Sequence, residues 1–289
     1  MLFKTIKPLL CDGAIGTELI KQTNQKIPEI LNLTQPEIVK QLHTNYIKAG
    51  SDIITTNSFG ANYPRLKKAI KNLGEINIYE LNKLSAKIAN EVKTKDKLLF
   101  GSVGPTGLKP EDKEFKKIAE YFGEQIRGLK DGGVDIILIE TMTIVEEMKI
   151  AFEIARNEAN LPVAVSMSFK IENGQIYTYA GVDFKNAVKE MMNLGADVIG
   201  ANCGNGFAEM VEIAKSLKSL AGDFPILIQP SAGTPQKINK SLIYPDTPDK
   251  ISPYVEKLID IGINIIGGCC GTTPEHIEVM RRIIDEKFK

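Results

Sequence analysis

The feature that most constrains this chain is a rhythm. Short runs rich in Val, Ile and Leu, each followed by a longer amphipathic stretch, recur eight times along 289 residues. The runs are Pro8 to Cys11, Ser51 to Thr55, Leu98 to Val103, Val134 to Ile139, Pro162 to Phe169, Asp197 to Ala201, Pro225 to Gln229 and Ile263 to Ile266. Their near-continuous apolar character suits parallel strands covered on both faces. The intervening patterns predict helices over Pro36–Ala49, Ile76–Val92, Phe115–Leu129, Val145–Asn157, Phe184–Leu194, Phe207–Leu220, Pro248–Ile261 and Pro274–Phe288. Eight such units predict an α/β chain folded as a single (β/α)8 TIM barrel domain over residues 1–289, with an open doubly wound sheet as the alternative. No Gly-x-Gly-x-x-Gly follows the first run, which weighs against a dinucleotide fold, and no linker divides the chain.

Charge narrows the partners. Thirty-six acidic residues balance thirty-six basic ones, so neither a nucleic acid nor a membrane surface is expected as a partner, and a small zwitterionic ligand fits better. The clusters Lys67-Lys68 and Lys113 to Lys117 read as solvated helix faces. No segment reaches the roughly 20 apolar residues that a bilayer span needs, and the apolar patch at the start is too short for a signal-peptide core, so a cytoplasmic location is expected. Four cysteines are too few for a disulfide framework, which leaves metal binding, nucleophilic chemistry or burial. His43 and His276 both fall in predicted helices and read as structural, so a metal site would draw on sulfur and oxygen.

In a barrel the C-terminal ends of the strands share one mouth, where active sites form. Asp12, Thr56, Asn57, Ser102, Glu140, Ser168, Asn202, Cys203, Gln229, Cys269 and Cys270 are expected there. Three thiolates with one exchangeable position make a zinc site of the catalytic kind. The competing readings are small buried residues, or a bond between the adjacent Cys269 and Cys270 that would strain the intervening peptide. Cys11, inside the first strand, reads as core packing. Asp12 and Glu140 together are suited to an α-ammonium group, and Gly13 would let a ligand approach the backbone.

Six motifs carry a resemblance: Asp12 to Glu18 (DGAIGTE), Thr55 to Asn62 (TTNSFGAN), Gly101 to Gly107 (GSVGPTG), Glu140-Thr141, Ala201-Asn202-Cys203, and Gly267 to His276 (GGCCGTTPEH). In this order they resemble the homocysteine S-methyltransferase family, above all the homocysteine-binding module of cobalamin-dependent methionine synthases, over nearly the whole chain. The resemblance implies a zinc-dependent enzyme of methionine-synthase type that methylates the thiol of homocysteine. Cys203, Cys269 and Cys270 would be the metal ligands and catalytic residues, with homocysteine sulfur as the fourth ligand. Asp12, Gly13 and Glu140 would hold the amino-acid end, with Thr56, Asn57 and Asn202 as further substrate contacts.

Two departures matter. The tyrosine that betaine-dependent relatives carry near the position of Gly60 is missing, which disfavours betaine as the donor. Where relatives show Pro-Asn-Ala-Gly, this chain has Pro230-Ser231-Ala232-Gly233, so Ser231 or water is expected to complete a substrate-free zinc shell. The methyl donor expected is methylcobalamin or another methyl-corrinoid, free or on a separate corrinoid protein, because the sequence stops after the barrel. S-Methylmethionine is the alternative donor, and a non-catalytic zinc- or homocysteine-binding subunit is the alternative of another class.

Overall fold

The computed structural model describes residues 3–289 apart from 71–73, 75, 239 and 240. The apolar runs form eight parallel strands: β1 (Leu9–Leu10), β2 (Ile53–Thr55), β3 (Leu98–Val103), β4 (Ile136–Met142), β5 (Val163–Met167), β6 (Val198–Cys203), β7 (Ile226–Pro230) and β8 (Ile265–Ile266). From β2 to β8 each strand pairs with the next, and β1 pairs with β8 in the register Leu9–Ile265 and Leu10–Ile266. The last gap, between β1 and β2, is bridged by a parallel pairing of Cys11 with Ile53, by Asp12 N–H donating to Ile53 O at 2.9 Å, and by Asp52 N–H donating to Leu10 O at 2.7 Å. The barrel is therefore closed, as expected, and the open-sheet alternative falls away.

The outer layer is α1 (Pro36–Lys48), α2 (Ile78–Asn90), α3 (Ile118–Asp131), α4 (Val145–Ala159), α5 (Phe184–Asn193), α6 (Phe207–Ala221), α7 (Ser252–Ile261) and α8 (Pro274–Lys287). Among the described residues no helix is long and apolar enough to cross a membrane. Each strand is apolar on both faces because it meets two different apolar environments. Leu10, Ile54, Leu99, Ile137, Ile139, Val163, Val165, Ile199, Ile226, Ile228 and Ile266 pack outward with the helices. Cys11, Ile53, Phe100, Ile136, Leu138, Ala164, Val198, Leu227 and Ile265 fill the barrel interior. Phe3 closes the lower end edge-on against Phe100, at 6.4 Å between ring centroids.

Because side chains alternate along a strand, the residue two places beyond each interior apolar one also faces inward. Those residues include Thr55, Ser102, Glu140, Ser166 and Gln229, and Asn202 continues the same alternation two places beyond Gly200. The interior is thus apolar below and polar at the top, and the polar layer is the floor of the mouth.

Several elements lie beyond the predicted rhythm. Strand β4 runs on to Met142, with a register shift between Ile139 and Met142, and β6 runs on to Cys203. The third predicted helix begins as a 3-10 turn over Lys113–Lys117 before α3. Short helices over Gly16–Thr23, Leu31–Thr34 and Tyr63–Ala69 line the mouth loops. Hairpins form from Phe169–Glu172 with Gln175–Thr178, and from Gln236–Ile238 with Ser241–Ile243.

Candidate metal and substrate site

The Cys269-Cys270 loop is anchored on three sides by its backbone. Cys269 N–H donates to Pro230 O at the end of β7, and Ala232 N–H donates to Cys270 O, both at 2.8 Å. The Thr272 hydroxyl donates to Cys269 O at 2.7 Å and accepts from Ala14 N–H at 3.1 Å, which ties the loop to the segment after β1. The buried Tyr46 hydroxyl, on α1, donates to Ala14 O at 2.8 Å. Gly13 lies within this knot. A Cβ there would come within 2.9 Å of the Tyr46 ring and of the Thr272 hydroxyl, so only glycine fits without displacement.

Cys203 reaches the same place from the end of β6 and carries a left-handed backbone, with φ of 67°. Thr141, just past Glu140, is also left-handed, with φ of 60°. Such conformations cost free energy for non-glycine residues and need outside support. Asn202 supplies it. Its Oδ1 accepts from Thr141 N–H at 2.9 Å and from the Ser166 hydroxyl at 2.6 Å, while its Nδ2 donates to the Thr141 hydroxyl at 2.7 Å and to Glu140 Oε2 at 3.3 Å. Ser166 was not singled out in the sequence, and neither was the role of Thr55. Both follow from the inward alternation once the register is known.

The three sulfurs of Cys203, Cys269 and Cys270 lie within 4.8 Å of one another, and Cys203 and Cys270 are 3.9 Å apart. A tetrahedron with Zn–S bonds of about 2.3 Å has sulfur–sulfur edges of about 3.8 Å, so these residues fit a zinc ion. All four cysteines are free thiols, so no bond joins the adjacent pair. Hydrogen bonds from the Cys269 and Cys270 thiols draw the Cys203 thiol well below its usual range, against its burial. Cys203 in turn pushes Cys270 up to about 12 and holds Cys269 high. The protein alone stabilises one thiolate here, and a divalent cation is the natural means of holding three. The Ser231 hydroxyl donates to Cys203 Sγ at 3.5 Å.

The thiols open onto a cavity of about 840 Å3 whose walls include Gly13, Thr56, Asn57, Glu140, Gln229 and the three cysteines. Glu140 receives the Ser102 hydroxyl, and burial pushes its carboxyl up to about 7 against that hydrogen bond. Thr56 and Asn57 line the wall with side chains already engaged. The Thr56 hydroxyl meets Ser58 Oγ at 2.5 Å and accepts from Ser102 N–H, while Asn57 Nδ2 donates to Pro28 O and to Asn32 Oδ1.

Asp12 and Asn202 are fully buried behind the cavity wall. The Asp12 carboxylate accepts from Thr55 N–H at 2.7 Å and from the Thr55 hydroxyl, and its backbone carbonyl accepts from Gly268 N–H at 2.9 Å. Burial raises its carboxyl to about 8, against the lowering effect of Thr55.

Ser168 lies outside this constellation, its N–H donating to Met142 O. Cys11 is fully buried in the interior core, as expected. The histidines take structural places. His276 caps α8, Nδ1 accepting from Thr273 N–H at 3.1 Å while Nε2 meets Asp246 O at 2.8 Å. His43 is buried in α1.

Comparison with known proteins agrees with this arrangement. Residues 9–284 match the model of the family described as homocysteine S-methyltransferase. The chain is 30% identical over 292 residues to a methionine synthase of Mycobacterium leprae, covering 92% of this chain and 23% of that protein. It is 32% identical to a methionine synthase of Mycobacterium tuberculosis, covering 92% of this chain and 24% of that one. The chain therefore spans about a quarter of the length of these relatives.

Among solved structures, the metallated homocysteine methyltransferase MmuM of Escherichia coli superposes with a TM-score of 0.77 at 20% identity, covering 96% of each chain. A methyltransferase from Methanosarcina mazei superposes at 0.62 and 15% identity, covering 98% of this chain and 95% of that one. These two likenesses speak for the fold. On the family match over nearly its whole length, the chain belongs to the homocysteine S-methyltransferase family.

Proposed function

We propose that this barrel transfers a methyl group to the sulfur of homocysteine, giving methionine, as an enzyme of the methionine-synthase type. The observation that carries the reading is the triangle of thiols at the mouth, opening onto a cavity whose wall also bears a carboxylate. Cys203, Cys269 and Cys270 would hold zinc. Bound there, zinc would keep the homocysteine thiol, whose free pKa is about 8.5 by analogy with cysteine, as a thiolate at neutral pH.

The chain's own residues do the rest. Glu140, pushed up to about 7 when no cation faces it, would ionise against the α-ammonium. Gly13, packed too closely against Tyr46 and Thr272 for a side chain, brings backbone to the wall, and Thr56 and Asn57 line the same cavity. Asp12 and Asn202 act behind the wall, holding Thr55 and the Glu140-Thr141 turn in place. A homocysteine molecule fills only part of the cavity, which leaves room for the methyl-bearing end of a donor above the sulfur. In the transfer step the sulfur lone pair forms a bond to the methyl carbon as the bond from that carbon to the donor breaks, the electron pair leaving with the donor.

A methyl-corrinoid, methylcobalamin or a form carried by a separate corrinoid protein, is the donor we favour. The 30% and 32% identity to methionine synthases supports that choice. A cytoplasmic setting accords with four free thiols.

The test is methionine formation from homocysteine by zinc-loaded protein, followed by mass spectrometry, with methylcobalamin and S-methylmethionine in parallel. Turnover with methylcobalamin alone supports the reading. Turnover with S-methylmethionine alone reverses the donor, and zinc-bound homocysteine without transfer from any donor or corrinoid protein marks a binding subunit.

A further inference from the structure

Gln229 is the inward-facing residue at the top of β7, two places above Leu227 in the interior core. It pairs in register with Asn202 on β6, and the next residue, Pro230, accepts the Cys269 N–H. Gln229 therefore sits beside the thiol triangle, at the floor of the cavity that it helps to line. Its amide is oriented by a short chain of polar contacts. Nε2 donates to Cys11 Sγ at 3.5 Å, and the Cys11 thiol donates onward to Asp12 Oδ1 at 3.5 Å. That leaves Oε1, in a side chain only 4% exposed, with no hydrogen-bond partner among the described residues. A buried amide oxygen left unpaired costs about 1–3 kcal/mol, so an acceptor kept in this state on a cavity floor calls for a donor from the ligand.

We propose that Gln229 is a substrate-binding residue for the acceptor, its Oε1 accepting a proton of the α-ammonium group while Glu140 supplies the opposite charge. The inference rests on the reading that homocysteine binds in this cavity. Homocysteine carries its ammonium a short carbon chain from its sulfur, so a donor cation must lie close to wherever the sulfur is held. Gln229 and Glu140 stand on β7 and β4, separated in the barrel by β6 and β5, and so offer acceptors from two sides of one floor. A neutral amide suits the place. It gives the ammonium a second acceptor without adding a negative charge beside three thiolates and Glu140.

The test is calorimetric binding to zinc-loaded protein of homocysteine and of 4-mercaptobutanoate, which has hydrogen in place of the amino group. Gln229→Met keeps the length and removes the oxygen. It should weaken homocysteine binding by about tenfold or more, the scale of a hydrogen bond to a charged group, and leave the analogue within about twofold. Gln229→Glu keeps an acceptor and should preserve or widen the preference for homocysteine over the analogue. Equal loss for both thiols in Gln229→Met, with zinc content unchanged, would show that Gln229 only shapes the floor and would overturn the proposal, as would no loss at all. Unsubstituted protein that binds neither thiol would overturn the acceptor assignment itself, and this inference with it.

Discussion

Replacing Asn202 with alanine removes the residue that joins three strand ends. The side chain accepts hydrogen bonds from Thr141 N–H and from Ser166, and donates to the Thr141 hydroxyl and Glu140. Each intramolecular hydrogen bond contributes about 1 kcal/mol net, and the fully buried Ser166 hydroxyl loses its acceptor at an added cost of about 1–3 kcal/mol. Water reaches the half-buried Thr141 and softens its loss. The expected destabilisation is therefore about 3 kcal/mol, read as a lowered urea midpoint with an unchanged slope. Because Thr141 holds a left-handed backbone directly after Glu140, homocysteine affinity should fall as well. Asn202→Asp gives the comparison. It keeps both acceptor functions but faces the Glu140 carboxylate without a proton to donate, so its losses should shrink as the pH falls and the two acids share a proton. A loss of stability below about 1 kcal/mol in Asn202→Ala, with unchanged homocysteine binding, would refute the view that this amide supports the turn.

Cys269→Ala should abolish zinc retention, measured by metal analysis after dialysis, and methionine formation together; an active, zinc-loaded variant would remove Cys269 from the ligand set. Gly13→Ala should cost about 1–3 kcal/mol and weaken homocysteine binding, because the added methyl meets the Tyr46 ring and the Thr272 hydroxyl and pushes the cysteine loop away. His43 is buried, neither ring nitrogen has a partner among the described residues, and burial lowers its pKa to about 4. The unfolded chain then binds more protons than the folded one between about pH 6.5 and 4, so stability should fall with pH across that window, and His43→Leu should flatten this slope in urea melts.

Much of the architecture was legible in the sequence because each strand had to be apolar on both faces and each helix on one. That pattern favours the barrel over an open sheet, and the common mouth of a barrel brings Cys203, Cys269 and Cys270 together. What stayed hidden was the second periodicity inside each run. Leu98 and Leu99, or Ile136 and Ile137, look alike in sequence, yet one faces the barrel axis and the other the helices. Only at the top of each strand does the inward residue become polar, and without a register Ser166 and Thr55 could not be told from ordinary strand residues, while Ser168 drew attention by its place alone. The burial of Asp12 and Asn202 behind the wall was hidden for a related reason. Whether a strand-end side chain turns into the mouth or ties its neighbour depends on contacts such as Thr55 with Asp12, which span the gap between two strands. The short helices over Gly16–Thr23 and Tyr63–Ala69, eight and seven residues long, complete only about two turns each and so leave too short a pattern to stand out in sequence.

The two-residue pairing of β1 with β8 joins the first strand of the chain to the last. Nascent chain emerging in order can assemble strand upon strand, but β1 keeps one edge open until β8 arrives, and two of the three thiols arrive with the loop that follows it. This long-range pairing and the completion of the metal triangle thus both wait for β8, and both are slow for the same reason of chain separation. A metal ion bound by all three thiols would report that β8 has joined β6 by way of β7, and its affinity would act as a clasp that holds the last strand in the ring.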